Sequence, residues 1–163
     1  MIIAESAPNL GGINQARNLA KYGIKTTVIS DASVYSIMSR VNKVIIGTHS
    51  IMANGGLISF SGIYNICIAA QAFSIPVIVV AGTYKLTPYF PFDHQTFNEL
   101  YSPNTIFNKN FSCDLSNFKF FSPVYDYVPP ELLMMYITNL GSQNPDYIYR
   151  FFKEFYSQED YFL

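Results

Sequence analysis

Short apolar runs alternate, along the first half of the chain, with stretches in which apolar residues recur every three or four positions. This alternation predicts β-strands that are each followed by a helix. The predicted strands are 2–5, 26–30, 43–47 and 76–81, and the predicted helices are 13–20, 31–41 and 63–73. Because such apolar strands are typical of a parallel sheet covered on both faces, the sequence predicts an α/β fold. Right-handed crossovers would make it a Rossmann-like, doubly wound, mostly parallel sheet with helices on both faces.

The alternation weakens after the fourth strand. Prolines and asparagines interrupt residues 83–121, where we expect short helical pieces such as 95–101 within a surface excursion. A strand at 123–128 restores order, and Pro129–Pro130 is placed to begin a helix that runs to Thr138 and is closed by Gly141. A last helix is predicted over 145–156, and its wide aromatic face indicates core packing together with some partner surface.

Composition limits the classes of protein to which the chain can belong. Its 163 residues suit a single domain over 1–163, of which 50% is hydrophobic and only 13% charged. The aromatic fraction of 17% indicates an aromatic core, or aromatic surface that another molecule covers. With a net charge of −1 and no long basic run, the sequence argues against a nucleic-acid partner. No apolar run is long enough for a membrane span.

The chain opens on a predicted buried strand without a signal peptide, so we expect an upstream domain and a cytoplasmic location. Two cysteines, Cys67 and Cys113, share no metal-ligand spacing, and Cys67 falls in an apolar helical run where a small buried hydrophobe is expected. His49 and His94 are isolated from other ligand-type residues. The sequence therefore predicts neither a metal site nor a cofactor.

The candidate site residues follow the predicted strands, at the sheet edge where such folds bind ligands. Glu5 and Asp31 end consecutive strands and could bind sugar hydroxyls or perform acid–base chemistry, although helix capping explains Asp31 nearly as well. Gly11–Gly12 stands where a phosphate loop would lie, but it lacks the full glycine fingerprint and is also explained as a tight turn. Lys85 could bind an anion, or its ammonium group could simply be solvated.

Asn54-Gly55-Gly56 is the sharpest local signal in the sequence. Consecutive glycines permit positive φ and close approach of the backbone, and asparagine tolerates left-handed conformations. The segment could cradle a phosphate with its amides, or it could simply form a structural turn. On the residues alone, both alternatives stay open.

Several segments together resemble the regulatory subunits of eukaryotic translation initiation factor 2B, and the C-terminal part is similar to the beta type of subunit. The segments that carry the resemblance are 2–8 (IIAESAP), 23–27 (GIKTT), 31–32 (DA), 41–47 (VNKVIIG), 53–56 (ANGG), 85–86 (KL), Pro91, 124–132 (VYDYVPPEL), 137–139 (ITN) and 145–150 (PDYIYR). This family is related to isomerases of methylthioribose 1-phosphate and ribose 1,5-bisphosphate. In those enzymes the counterpart of Gly56 is a catalytic Asp, and an Arg follows the first strand where this chain has Ser6-Ala7-Pro8.

The resemblance implies a non-catalytic regulatory subunit of the guanine nucleotide exchange factor for translation initiation factor 2. The implied partners are the delta, gamma, alpha and epsilon subunits together with initiation factor 2 itself, and an isolated fragment could self-associate. Because a glycine cannot transfer a proton, isomerase chemistry is not expected. A sugar-phosphate isomerase, or a vestigial pocket that binds sugar phosphate or nucleotide, remains the alternative. Such a pocket would be formed by Glu5, Gly11, Gly12, Asp31, Asn54, Gly55, Gly56 and Lys85.

Overall fold

The structure is a computed structural model, and it describes residues 1–91, 98–102, 105 and 119–157. By its internal contacts the chain falls into two compact units. The first unit comprises Met1–Ile37 and Glu99–Val124, and the second comprises Met38–Asn98 and Tyr125–Leu163. No helix in the described ranges is both long enough and apolar enough to cross a membrane.

The first unit contains a two-stranded parallel sheet with its crossover helix. Strand β1 (Ile2–Ala4) pairs with β2 (Thr27–Ile29), and helix α1 (Gly11–Lys21) lies between them in sequence. Helix α1 buries its small residues Gly12 and Ala16. A short helix, α2 (Val34–Ile37), follows the second strand.

The second unit is built on a four-stranded sheet in the order β3-β6-β8-β9. Its first three strands, β3 (Val44–Gly47), β6 (Val77–Val80) and β8 (Met135–Thr138), are parallel, and β9 (Gly141–Gln143) adds an antiparallel edge. β-Branched residues dominate β3 and β6, as expected of strands with parallel neighbours.

A three-stranded antiparallel sheet completes the second unit. It consists of β4 (Ser50–Ile51), β5 (Leu57–Phe60) and β7 (Tyr125–Val128), with β5 in the centre. Helix α3 (Ile63–Ala72) follows β5 and contacts β7, and helix α4 (Ile148–Phe155) ends the described chain. The largest fully buried side chains all belong to this unit: Tyr136, Phe152, Ile51, Met52, Leu57, Ile148, Val79, Val128 and Cys67.

The predicted α/β class is confirmed, and the first four predicted strands are all present. The helix predicted from Pro129 to Thr138 is wrong. Pro130 begins only a single 3₁₀ turn, and strand β8 follows it. Gly141, with φ of +105°, opens β9 instead of closing a helix. Leucine and methionine favoured a helix locally, but pairing of β8 beside the buried strand β6 overrides that propensity.

The helix predicted over 31–41 is broken into three short pieces, since 3₁₀ turns at Asp31–Ser33 and Met38–Arg40 flank α2. The strands β4 and β5 were not predicted, since the sequence indicated only a loop in this part of the chain. Of the helical piece expected over 95–101, residues 95–97 lie outside the described residues, and residues 98–101 are not helical, since Leu100 forms an isolated antiparallel bridge with Pro123. His94 and Cys113 also lie outside the described residues.

Candidate functional site

The segment that the sequence marked most sharply is a tight turn between β4 and β5. We call residues 52–56 the Asn54 turn. Met52 donates its amide to the carbonyl of Gly56 (2.8 Å), and Gly55 donates its amide back to the carbonyl of Met52 (2.9 Å). Gly55 has φ of +82°, the left-handed region that glycine enters without a Cβ clash. The turn is thus closed by its own backbone.

Side chains from two distant strands fix this turn from outside. The Asn54 amide group donates from Nδ2 to the hydroxyl of Tyr127 (2.7 Å), and its Oδ1 accepts from the amide of Gly56 (3.1 Å). The hydroxyl of Tyr136, which is fully buried, donates to the carbonyl of Gly55 (2.7 Å). Because the amides of Gly55 and Gly56 both donate within the turn, neither is directed at an external phosphate.

Neighbouring atoms also occupy the space that a side chain would need at either glycine. A Cβ on Gly55 would collide with the backbone carbonyl of Pro145. A Cβ on Gly56 would lie 2.6 Å from the hydroxyl oxygen of Tyr127 and 2.7 Å from its ring carbon Cε2. An acidic side chain at position 56 would therefore require Tyr127 to move.

The two phenols at this turn are neutral hydrogen-bonding groups at ordinary pH. Burial raises the pKa of Tyr127, the hydrogen bond from Asn54 lowers it in part, and the carboxylate of Glu131 raises it further. Burial, followed by the influence of Tyr127 and Cys67, raises the pKa of Tyr136 still more. Neither side chain is poised to take a proton, so the turn has the properties of a structural element.

Lys85 lies in the same unit, but its ammonium group is already engaged. Its Nζ donates to the backbone carbonyl of Thr48 (2.6 Å), at the residue two positions before β4. The neighbouring Leu86 forms a parallel bridge with Ile51, which is in β4. Lys85 thereby ties the segment after β6 to the start of the hairpin.

The remaining predicted site residues belong to the first unit. Helix capping was one of two alternatives for Asp31, and it is wrong, because Asp31 is itself the first residue of the 3₁₀ turn Asp31–Ser33 and its side chain does not cap that turn. Its carboxylate instead accepts from the amides of Ser6 (3.0 Å) and Ala7 (2.8 Å), in the turn that follows β1. Two backbone donors that could meet a phosphate are thus used by the protein's own acid.

Gly11 and Gly12 have different roles at the start of α1. The amide of Gly12 donates to the carbonyl of Glu5 (3.1 Å), and a Cβ at Gly12 would collide with the carbonyl oxygen of Ala4. At Gly11 a Cβ would meet nothing within 4 Å. Gly12 therefore permits close packing of the helix on the strand, whereas no such contact requires glycine at position 11.

Sequence reasoning missed Asp126, the residue that caps helix α3. Its Oδ2 accepts from the amides of Gly62 (2.7 Å) and Tyr64 (3.2 Å), and its Oδ1 accepts from the hydroxyl of Ser61 (3.3 Å). A helix N-terminus attracts anions, and here an internal carboxylate from β7 fills that position. No local signal could reveal this, since Asp126 follows the helix by more than fifty positions.

A small open cavity of about 240 Å³ lies beside the Asn54 turn. Its lining is Ala53, Asn54, Phe90, Pro145, Asp146 and Tyr149. The rings of Phe90 and Tyr149 are 6.0 Å apart. Neither aromatic residue was predicted as part of a site, although the aromatic face of the last helix was noted. Within the described residues, no group of three or more His, Cys, Asp or Glu side chains is placed to hold a metal ion.

Comparison with known proteins identifies relatives along most of the chain. The model of the Initiation factor 2 subunit family matches residues 1–145. Translation initiation factor eIF2B subunit beta of Dictyostelium discoideum is 46% identical over 160 residues, which are 98% of this chain and 41% of that protein. The protein of the same name from Schizosaccharomyces pombe is 45% identical over 165 residues, covering 100% of this chain and 42% of that protein. The chain thus spans about two fifths of these relatives.

Among solved structures, 5-methylthioribose 1-phosphate isomerase from Pyrococcus horikoshii superimposes with a TM-score of 0.81. The match covers 94% of this chain and 44% of the isomerase, at 23% sequence identity. At that identity the likeness concerns the fold, and it agrees with the Rossmann-like α/β class predicted from the sequence.

Proposed function

Because the chain belongs to the Initiation factor 2 subunit family, we propose that it forms part of a non-catalytic, beta-type regulatory subunit of the guanine nucleotide exchange factor for translation initiation factor 2. The observation that carries the proposal is the identity of 45–46% to two beta subunits along nearly all of the chain. The C-terminal segment over 124–150, which indicated the beta type in the sequence, lies within this match.

The geometry of the Asn54 turn supports a role without catalysis. The related isomerases place a catalytic acid at the position of Gly56, and here the ring and hydroxyl of Tyr127 lie in the space such a side chain would need. The hydroxyl of Tyr127 is also engaged by Asn54. The described residues of the Asn54 turn are thus held by hydrogen bonds, and the position at which the isomerases carry an acid has no side chain here.

Assembly with the delta, gamma, alpha and epsilon subunits in the cytosol, and action on initiation factor 2, belong to the same proposal. Exposed aromatic side chains support a role in contacts between proteins, because such residues are enriched in interfaces. Three of them lie in or beside α4: Tyr147 is 58% exposed, Tyr149 is 42% exposed and Phe155 is 54% exposed. Self-association of an isolated fragment through such a surface is part of the same proposal.

Co-purification tests the assembly. The full-length protein, tagged and co-expressed with the delta and gamma subunits, is expected to retain both through affinity and size-exclusion steps. Co-expression of the tagged protein with an unrelated Rossmann-like protein serves as the control for non-specific capture. Absence of any stable association with delta or gamma, from a protein that remains folded by circular dichroism, would sink the proposal.

The cavity beside the Asn54 turn supports a second candidate function, which is residual binding of a sugar phosphate or nucleotide without turnover. Its volume of about 240 Å³ is small, and two aromatic rings line it beside the carboxylate of Asp146. Isothermal titration of the full-length protein with aldose phosphates and nucleotides decides the question, and flat titrations across the series would reject it.

A further inference from the structure

The cavity beside the Asn54 turn brings two aromatic rings together with one carboxylate. Phe90 and Tyr149 supply the rings, whose centroids are 6.0 Å apart and whose planes are inclined by 53°. Asp146 supplies the carboxylate, and it is the only charged side chain among the described residues that line the cavity. Because the faces of aromatic rings carry partial negative charge, all three groups favour a positively charged ligand.

Backbone hydrogen bonds hold both walls of the cavity in place. The amide of Ala53 donates to the carbonyl of Tyr89 (3.0 Å), the residue before Phe90. On the opposite wall, the amide of Asp146 donates to Oδ1 of Asn144 (3.1 Å). The walls are thus positioned before a ligand arrives, which lowers the entropy that is lost on binding.

The carboxylate of Asp146 is available to a ligand. Within the part of the chain that the structure describes, its oxygens take part in no hydrogen bond or ion pair. The two basic residues of α4 have other contacts, since Arg150 lies 3.7 Å from Glu154 and the Nζ of Lys153 lies 4.5 Å from the ring centroid of Tyr149. Lys153 does not line the cavity, but its position shows that the ring of Tyr149 accepts a cation.

Size and geometry narrow the class of cation. The volume of about 240 Å³ is below the roughly 300–1,000 Å³ of pockets that enclose drug-sized ligands, so the cavity suits a single side chain or a small ion. A guanidinium group is planar, stacks on aromatic rings and donates two parallel hydrogen bonds to one carboxylate. An ammonium group is a compact, strongly hydrated charge without a planar face, and it matches the two rings less well.

We propose that this cavity binds a guanidinium group, with Asp146 as its ion-pair partner and with Phe90 and Tyr149 as its stacking surfaces. A small guanidino compound and an arginine residue of a peptide share this chemistry. The proposal goes beyond the exchange-factor role and does not depend on it. It also concerns a ligand of opposite charge to a sugar phosphate, so the two kinds of binding can be told apart.

Ligand-detected NMR on the full-length protein tests the proposal. One arm uses N-acetylarginine amide, and a second arm uses a glycine peptide with one central arginine. The matched control is N-acetylcitrulline amide, which has nearly the same shape but no charge. Saturable binding is expected for an arginine probe, with binding of the citrulline probe weaker by roughly tenfold. Preference for the amide would assign the site to small guanidino compounds, and preference for the peptide would assign it to arginine side chains.

Substitutions locate the binding in the cavity. Asp146→Asn, at an exposed position, should weaken binding of the arginine probe by roughly tenfold, and Tyr149→Leu should weaken it by a factor of about three. Glu154→Gln and Tyr147→Leu change the same residue types outside the cavity lining, and they should leave the affinity unchanged. No saturable binding of either arginine probe, equal binding of the citrulline probe, or an unchanged affinity in Asp146→Asn would overturn the proposal. Displacement of the arginine probe by ribose 5-phosphate would also overturn it, because the cavity would then bind an anion.

Discussion

The Asn54 amide nitrogen Nδ2 lies 2.7 Å from the hydroxyl oxygen of Tyr127, and this hydrogen bond joins the turn between β4 and β5 to the strand β7. The same asparagine accepts from the amide of Gly56, so one side chain fixes both the turn and its neighbour strand. The hydroxyl of Tyr127 also lies where a side chain at position 56 would begin. The position of Tyr127 therefore both fixes the Asn54 turn and leaves no space for an acidic side chain at position 56.

Removing that hydroxyl tests how much the contact stabilises the second unit. Tyr127→Phe deletes the acceptor of Asn54 in a half-buried place, and we expect it to lower the free energy of unfolding by roughly 1–2 kcal/mol. Urea unfolding monitored by circular dichroism measures the change. Tyr125→Phe, on the same strand, keeps the ring contacts with His49 and Phe60 and is the control. Equal effects of the two substitutions would contradict a specific role for the Tyr127 hydroxyl.

Restoring an acid at the turn is expected to fail, both for stability and for catalysis. Gly56→Asp places a Cβ 2.6 Å from the Tyr127 hydroxyl, so we expect overpacking that costs about 2 kcal/mol. Gly47→Asp is the control, since a Cβ there meets nothing within 4 Å. In a double-mutant cycle with Tyr127→Ala, the two effects should be strongly non-additive because the clash is relieved. No isomerase turnover of aldose phosphates is expected from any of these variants.

The sequence predicted the elements whose signals are local. Strands β3 and β6 appear as apolar β-branched runs, and helices α1 and α3 show helical periodicity. Strand β8 was mistaken for a helix because Pro129–Pro130 was expected to begin one and the leucine and methionine residues before the strand favour helices. Only pairing with β6 decides its conformation.

At the candidate site, Asn54, Gly55 and Gly56 were recognised from their residue types alone. Their partners were not, because Tyr127 and Tyr136 are separated from the turn by 73 and 81 positions. No spacing rule links residues that far apart, and the register that aligns them is set by tertiary packing. A sequence can thus indicate glycines that allow close approach of other atoms, but it cannot indicate which distant residues supply those atoms.

The two adjacent glycines of α1 should respond oppositely to alanine. Gly12→Ala would drive a Cβ into the carbonyl oxygen of Ala4, and we expect a loss of more than about 1 kcal/mol in unfolding free energy. Gly11→Ala meets open space and should be neutral or stabilising by up to about 1 kcal/mol, because alanine favours helices. Thermal unfolding of both variants measures the difference. A comparable loss at both positions would argue against close packing at Gly12.

Helix α3 should depend on the carboxylate that caps it. Asp126→Asn keeps one acceptor but removes the charge at the helix N-terminus, and we expect a loss of about 1 kcal/mol. Asp126→Ala removes all three hydrogen bonds and should cost more. Glu131→Gln, at an exposed position nearby, controls for a general effect of losing a negative charge. Equal stability of the Asp126 and Glu131 variants in urea unfolding would exclude the capping role.

Because the thiol of Cys67 is buried, we expect the free energy of unfolding to fall at alkaline pH. Burial, with a smaller contribution from Asp126, raises the pKa of this thiol from 9.0 to about 12. Below pH 9 the thiol is protonated in both the folded and the unfolded protein, so it does not make the free energy of unfolding depend on pH. Between pH 9 and about 12 only the unfolded chain releases the proton, so stability falls as pH rises, by up to about 1.4 kcal/mol per pH unit. Urea unfolding across this range should show a shallower pH dependence in Cys67→Ala than in the native protein. An unchanged slope would mean that the thiol does not titrate as its burial requires.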